Sequence, residues 1–510
     1  MTAYLLCPDL TIRGAEEPEA RPEAVLVEDG RIAAIGPADA IGAGAQRIEL
    51  NGQILLPGLV NAHQHGRGIT SLQLGYEDGI LEHWMIDRRR RRSMDPYAAA
   101  LLAAAEMIAA GVTATIQANT PYGTGDYANE LRGSIRAYTE AGLRAMVGVG
   151  AMDRAFFVYP HEADEHFRAT LPEDLAPAAY PSGTVYAGDG PATIALMESL
   201  RAETAGSTLI SLAYAPAGPQ WVSDGLFAAL AADAKRNGTP IHMHALESWA
   251  QVRTLQRLYP EGLMRRMEAL GVLGPLTSLA HAVWLSDDDL AVAARHGVTV
   301  VRNPGSNLRL RAGIAPLDAY LEAGVSVAIG TDNTAINDDE DLLAELRLAG
   351  RLAGGAGWRD ATGPDARALL RMATTAGASA MGLAGQIGII RAGARADIIA
   401  IDRSALGSYV SPAIAPLSLL MGRAGARHVR MTMCDGRILY RNGHYADLDI
   451  EAVRAAAAAS ASGAEEVRNA ENVEKLLGIA NRHYVDNEHA GTAVTWTPRA
   501  RNWIAPISED

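Results

Sequence analysis

The sequence predicts an α/β protein: a (β/α)8 TIM-like barrel carrying a small β-sandwich formed from both ends of the chain. Three observations lead there. The middle of the chain alternates strand-like apolar runs with helical ones. The two ends share another texture, short β runs broken by tight turns. Histidines and an aspartate recur where the middle strands end, the face on which such a barrel carries its site.

The expected division is residues 1–55 and 384–448 for the β-sandwich, 56–383 for the barrel and 449–510 for a C-terminal helical extension. At the N-terminus, AVLVEDGRIAAIG reads as a hairpin with Asp29-Gly30 in its turn. GARADIIAID and RHVRMTMCDGRILYRNGHY give the far end the same character. In the middle, strands are predicted at Ile54–Ala62, Val112–Gln117, Leu143–Gly148, Thr208–Tyr214, Pro240–His244, Leu276–His281, Val298–Arg302 and Val325–Thr331. Helical runs such as GLFAALAADAKRNG lie between them, each stopped by glycine. Eight strands alternating with helices imply a parallel sheet, and the length suits closure; an open doubly wound sheet is the structural alternative.

One connection is unusually long. Residues 151–190 hold Phe156, Phe157 and Phe167, three of the four phenylalanines, and read as a lid or substrate wall, or else as a surface excursion. The tail begins helically and carries no recognisable chemistry.

Composition narrows the function. With 48% hydrophobic residues in 510 the chain can bury a large core, and a net charge of −14 argues against a nucleic-acid binder. Two cysteines, Cys7 and Cys434, make no disulfide framework. No signal peptide and no membrane-length apolar run is visible, so a soluble, cytoplasmic protein is expected. No G-x-G-x-x-G follows the first barrel strand and no Walker sequence appears.

The chemistry gathers at strand ends. His63 and His65 in NAHQHGRG stand two apart, so in extended chain both imidazoles reach one face and one metal. His242 and His244 in IHMHALES repeat the pattern, with Glu247 three residues on. His281 ends another strand, and the apolar run VSVAIG turns polar at Thr331-Asp332-Asn333. Each feature alone suits a structural role; their joint placement on one face of a barrel does not.

These segments, with NPGSNLRLRAGIAPLDAYLEAGVSVAIGTDN at 303–333, resemble the amidohydrolase superfamily. The similarity is greatest to its branch of cytosine, guanine and S-adenosylhomocysteine deaminases and triazine hydrolases. The resemblance implies that His63, His65, His244 and Asp332 bind one divalent metal, Zn²⁺ first and Fe²⁺ second. It implies that Asp332 takes a proton from the attacking water, that Glu247 protonates a ring nitrogen, and that His281 polarises the water or the developing oxyanion. His242 matches no ligand of the family and is left between supporting a ligand and packing. Some members bridge two metals with a lysine on the fourth strand; TLISLAYAP has none, so a mononuclear site is expected.

The expected activity is hydrolytic deamination of an amino-substituted nitrogen heterocycle: a purine, pyrimidine, pterin or triazine-like ring. The alternatives are ring opening of a cyclic amide or imidazolone, and dechlorination or N-dealkylation of a triazine-like ring. Arg67, Gln73, Trp84, Asn119, Gln220 and Trp221 lie in connections that reach the active face and are the candidate substrate contacts. The run Arg88–Arg92 reads as a solvated face or an acid-binding patch. A small-molecule substrate is expected, with no nucleic acid or membrane partner. The resemblance adds a homo-oligomer.

Overall fold

In the computed structural model of the chain, the structure describes residues 3–75, 77–88, 94–154, 157–175, 186–332, 336–353, 363–462 and 470–488. Arg89–Arg92, Phe156, Asn333 and the last residues of the tail lie outside these. Sixteen strands are present among the described residues. They are β1 (Tyr4–Thr11), β2 (Ala24–Glu28), β3 (Arg31–Gly36), β4 (Gln46–Pro57), β5 (Leu59–Gln64), β6 (Val112–Gln117), β7 (Arg144–Ala151) and β8 (Ile210–Pro216). Then come β9 (Ile241–Ala245), β10 (Thr277–His281), β11 (Thr299–Arg302), β12 (Ser326–Ile329), β13 (Ile398–Asp402), β14 (Val429–Cys434), β15 (Arg437–Arg441) and β16 (His444–Tyr445).

β5 to β12 pair in chain order as parallel neighbours, with helices between them. The ring closes where Gln64 bridges Asp332 and the Asp332 N–H donates to the His63 carbonyl at 2.9 Å. Inside it, Ala62, Ile116, Met146, Ala213, Val301 and Ala328 pack against Ala376, Ala378 and Ala380 of the helix Thr375–Ala380. A larger apolar cluster lies between the strands and the surrounding helices. The helix starts and stops follow from sequence. Ser286 and Asp289 form a capping box for the helix Asp287–His296, and Gly297 ends it with φ 66°.

The other eight strands form one continuous sheet from both ends of the chain, in the order β16-β15-β14-β13-β4-β1-β2-β3. It encloses its own core of Leu6, Val25, Ile48, Leu55, Ile398 and Met431. The turn at Gly30 returns to touch the turn at Asp435-Gly436. The predicted strand Ile54–Ala62 is in fact two. Residues up to Pro57 belong to the end sheet, and β5 starts the barrel after Gly58. Gly58 is obligatory there, because a Cβ would collide with Thr113.

An ion cluster fastens the two sheets together. Arg144 on β7, 2% exposed, donates from Nε and Nη2 to Asp397 at 3.0 Å each and from Nη2 to Asp435 at 3.2 Å. Asp435 also accepts from Arg395 and Thr208. In the tail, the helix Ile450–Ser462 lies on the helix Pro96–Ala109. The helix Ala470–Glu488 packs Val473, Leu476 and Leu477 against Ile86, Phe157 and Phe167. No helix among the described residues is long and apolar enough to cross a membrane.

Removing one partner of a buried ion pair strands the other, at about 3–5 kcal/mol. Arg144→Met is therefore expected to lower unfolding free energy by about that amount in a denaturant titration. Burial raises the Asp435 carboxyl, but Thr208, Arg395 and Arg144 outweigh it and hold it below the usual range. A depressed carboxylate stabilises above its unfolded pKa, and that contribution fades as pH falls through the folded one. The deficit of Arg144→Met against wild type should accordingly shrink in acid.

Candidate active site

The catalytic face is set by strand ends. β5 delivers His63 and, one residue beyond it, His65. β9 delivers His242 and His244, β10 ends at His281, and Asp332 follows β12. His65 Nε2 lies 3.1 Å and His63 Nε2 3.3 Å from Asp332 Oδ1, and His65 Nε2 lies 3.3 Å from His244 Nε2. Each outer nitrogen is engaged elsewhere. His65 Nδ1 donates to the Ala118 carbonyl and His244 Nδ1 to the Ala217 carbonyl. The inner nitrogens therefore present lone pairs to one point.

A cation fits that point. Two buried atoms facing it, His63 Nε2 and Asp332 Oδ1, have no hydrogen-bond partner. Buried polar atoms are rarely left so unless something else satisfies them. Ligands of one tetrahedral ion at about 2.05 Å stand about 3.3 Å apart, close to the spacings found here. His63, His65 and His244 form one cluster able to hold a metal, and His63, His281 and Asp332 an overlapping one.

His242 has a place that the sequence left open. Its Nε2 is 2.7 Å from His63 Nδ1 and its Nδ1 is 2.7 Å from Ser278 Oγ. With His63 Nε2 unprotonated, Nδ1–H of His63 donates to His242, which in turn donates to Ser278. This relay fixes the tautomer and orientation of His63.

Electrostatics separate the two carboxyl groups. Burial pushes Asp332 up, but the close approach of His63 and His65, with His281 beyond, outweighs it and holds the carboxyl well below the usual range. Ser306 Oγ also donates to its Oδ2 at 2.5 Å. Burial, then the Asp332 and Glu82 charges, push Glu247 well above the usual range. Burial takes His281 down to about 3, leaving it neutral. Asn307 and Asn303 hold its Nδ1 edge at 2.9 and 3.3 Å. His281 and Asp332 both adopt left-handed backbone, φ 65° and 68°, the kind of strain that accumulates at working sites.

A cavity of about 130 Å³ opens over these groups, lined by Glu247, His281 and Asp332 and by Arg67, Trp84 and Trp221. The other candidate contacts lie elsewhere. Gln73 is exposed, its carbonyl accepting from Thr70 N and Oγ1. Asn119 and Gln220 are buried but do not line the cavity. Of the long connection, Met152 and Tyr186 reach the wall.

Sequence reasoning missed Glu82. It is buried and accepts from Tyr159 OH and Ser248 Oγ. Ser248 caps the helix Trp249–Leu258, whose Gln251 accepts from Glu247 N–H at 2.9 Å. Glu82 thus ties two connections to the loop bearing Glu247. Only its place beside Trp84 in LEHWMID hinted at this.

A closed parallel barrel with converging imidazoles and a strained carboxylate at its mouth is the architecture of a metal-dependent hydrolase. Residues 54–439 match the model of the amidohydrolase family, and the chain belongs to that family. A 5′-deoxyadenosine deaminase of Methanothermobacter thermautotrophicus is 31% identical over 87% of this chain and 95% of its own. A 5-methylthioadenosine/S-adenosylhomocysteine deaminase of Halobacterium salinarum is 32% identical over 90% and 96% respectively. Among solved structures, an adenosine deaminase from Xanthomonas campestris with bound zinc aligns with TM-score 0.76 at 28% identity, covering 91% of this chain and 98% of its own. The zinc-complexed atrazine chlorohydrolase of Arthrobacter aurescens shares the fold, with TM-score 0.74 at 23% identity over 90% and 99%.

Replacing a partner that orients a metal-bound imidazole typically costs about 10–100-fold in metal affinity. His242→Phe is expected to show a loss of that size in a competitive zinc titration, with the fold intact by circular dichroism.

Proposed function

We propose that this protein is a metal-dependent hydrolytic deaminase that releases ammonia from an amino-substituted nitrogen heterocycle. An adenine-type ring is the first choice, since the names of its relatives carry one. It is a hydrolase of carbon–nitrogen bonds other than peptide bonds. The observation that carries the reading is the pair of buried carboxyl groups in one cavity, Glu247 pushed up by burial and by the Asp332 and Glu82 charges, Asp332 held down by its histidine neighbours. Environments that push two such groups apart assign the acid and the base.

His63, His65, His244 and Asp332 would hold one divalent ion, zinc before iron(II). When bound it supplies the Lewis acidity that makes a water nucleophilic near neutral pH. Asp332 Oδ2, steadied by Ser306, takes the proton of the attacking water. Glu247 Oε1 is buried without a hydrogen-bond partner and so is free to deliver its proton to the ring nitrogen beside the attacked carbon. That transfer quenches the charge that builds on the ring. Neutral His281 hydrogen-bonds the oxygen as it becomes negative. The proton held by Asp332 then moves to the amine, which leaves as ammonia, while the hydroxyl on the attacked carbon becomes a carbonyl and its remaining proton restores Glu247. Trp84 and Trp221 offer flat apolar surface to a planar ring.

The test is ammonia release by zinc-loaded protein across amino-substituted purines, pyrimidines, pterins and triazines. Release from one ring class is expected; silence from metal-loaded protein across all of them would defeat the proposal. Asp332→Ala should abolish turnover and weaken metal retention. Glu247→Gln should keep the metal while kcat falls about 10²–10⁴-fold; full activity in that variant would remove Glu247 as the proton donor.

A further inference from the structure

Behind the site, outside the ring of strands, one buried carboxyl holds two loops at once. Glu345 stands in the first turn of the helix Leu342–Leu352, which packs against β12 and against the helix Pro304–Arg309. It is 5% exposed, and both its oxygens accept. Oε2 takes the Gly305 N–H at 2.9 Å and Oε1 takes the Asn337 amide at 3.1 Å. The approach excludes any side chain at 305, because a Cβ there would collide with the Glu345 carboxyl and the Asn337 amide oxygen.

Each bond leads on to a working group. Gly305 is followed by Ser306, which donates to Asp332 Oδ2, and by Asn307, which donates to His281 Nδ1. Asn337 also donates, at 2.9 Å, to the carbonyl of Thr331, the residue before Asp332. The loops after β11 and β12 therefore meet on one side chain. The charge of that side chain matters. An ionised carboxyl accepts at both oxygens, whereas a carboxamide of the same size accepts at one. Burial raises Glu345 to about 7; the bonds from Gly305 and Asn337 pull it back, and the Asp339 and Asp338 charges push it up again. Above that pH both bonds are served.

We infer that Glu345 is a positioning residue for the reaction: by fixing Gly305 and Asn337 it sets where Ser306 holds Asp332 and where Asn307 holds His281. It lines no part of the reaction cavity. Its effect is therefore small wherever Ser306 is already gone, whereas damage to the fold at large would add to any other loss. The inference rests on the roles proposed above for Asp332 and His281.

The test is a double-mutant cycle on the full-length protein at about pH 8, where Glu345 is ionised. It uses Glu345→Gln, Ser306→Ala and the pair. The first readout is zinc affinity by competition with a chelator. Glu345→Gln is expected to bind zinc about tenfold more weakly. The pair should bind it little more weakly than the worse single variant. Wild-type affinity in Glu345→Gln, or losses that multiply in the pair, overturns the inference. The second readout is turnover of 5′-deoxyadenosine with zinc saturating. In Glu345→Gln kcat should fall about tenfold or more with KM unchanged, because Trp84 and Trp221 reach the cavity from other connections. A raised KM at wild-type kcat overturns the inference equally. If wild type leaves 5′-deoxyadenosine untouched, the adenine-type reading fails and the zinc cycle still decides the role of Glu345. Should Glu345→Gln not fold by circular dichroism, Asn337→Ala, which cuts one of its two bonds, takes its place in the cycle with the same expectations.

Discussion

A backbone hydrogen bond, from Asp332 N–H just past the last barrel strand to the His63 carbonyl, closes the barrel onto its first strand. The site depends on it, because the bond that closes the ring also sets two inward-facing side chains beside each other. The approach is close. A Cβ at Gly330 would lie 2.7 Å from the His63 carbonyl and 2.6 Å from Asn303 Oδ1. Around the seam, Asn61 donates to Thr331 Oγ1 and Glu340, and Thr331 N–H donates back to Asn61. Barrel integrity and the spacing of the His63 and Asp332 side chains are therefore one property. The left-handed backbone of Asp332 is tolerated because the seam over-determines it.

The barrel was legible because its strands are nearly continuous apolar runs between helices whose caps can be read directly. The boundary at Gly58 was not, since an apolar run looks the same whichever sheet it joins. The converging histidines and aspartate were legible for a geometric reason. Residues two apart on a strand share a face, and a buried strand that turns abruptly polar is opening into a site. Loop side chains follow no such period. Gln73 stood in the right connection, yet its amide oxygen is held locally by Thr70. Asn119 and Gln220 stood past the right strands and turned inward. Tyr159 and Tyr186 were hidden in a long connection whose path only packing decides.

The tail, silent in sequence, takes part in building the mouth of the barrel. Its helix Ala470–Glu488 packs Val473 and Leu477 on the phenylalanines of the long connection, and Tyr484 meets the Tyr159 ring at 5.7 Å. Tyr159 donates to Glu82, and Glu82 steadies the loop of Glu247. Three segments far apart in sequence thus converge on the support of the buried Glu247 carboxyl.

The passage from β4 to β5 through Gly58 alone also bears on how the molecule is made. β4 pairs with β13, Pro57 opposite Ile398, so the sheet that anchors the first histidine-bearing strand is finished only by residues near the far end of the chain. During synthesis the early strands emerge long before their partners. One edge of β4 is covered early by β1, but its other edge, and with it the sheet that leads into the first histidine-bearing strand, waits for β13 some 340 residues further along the chain.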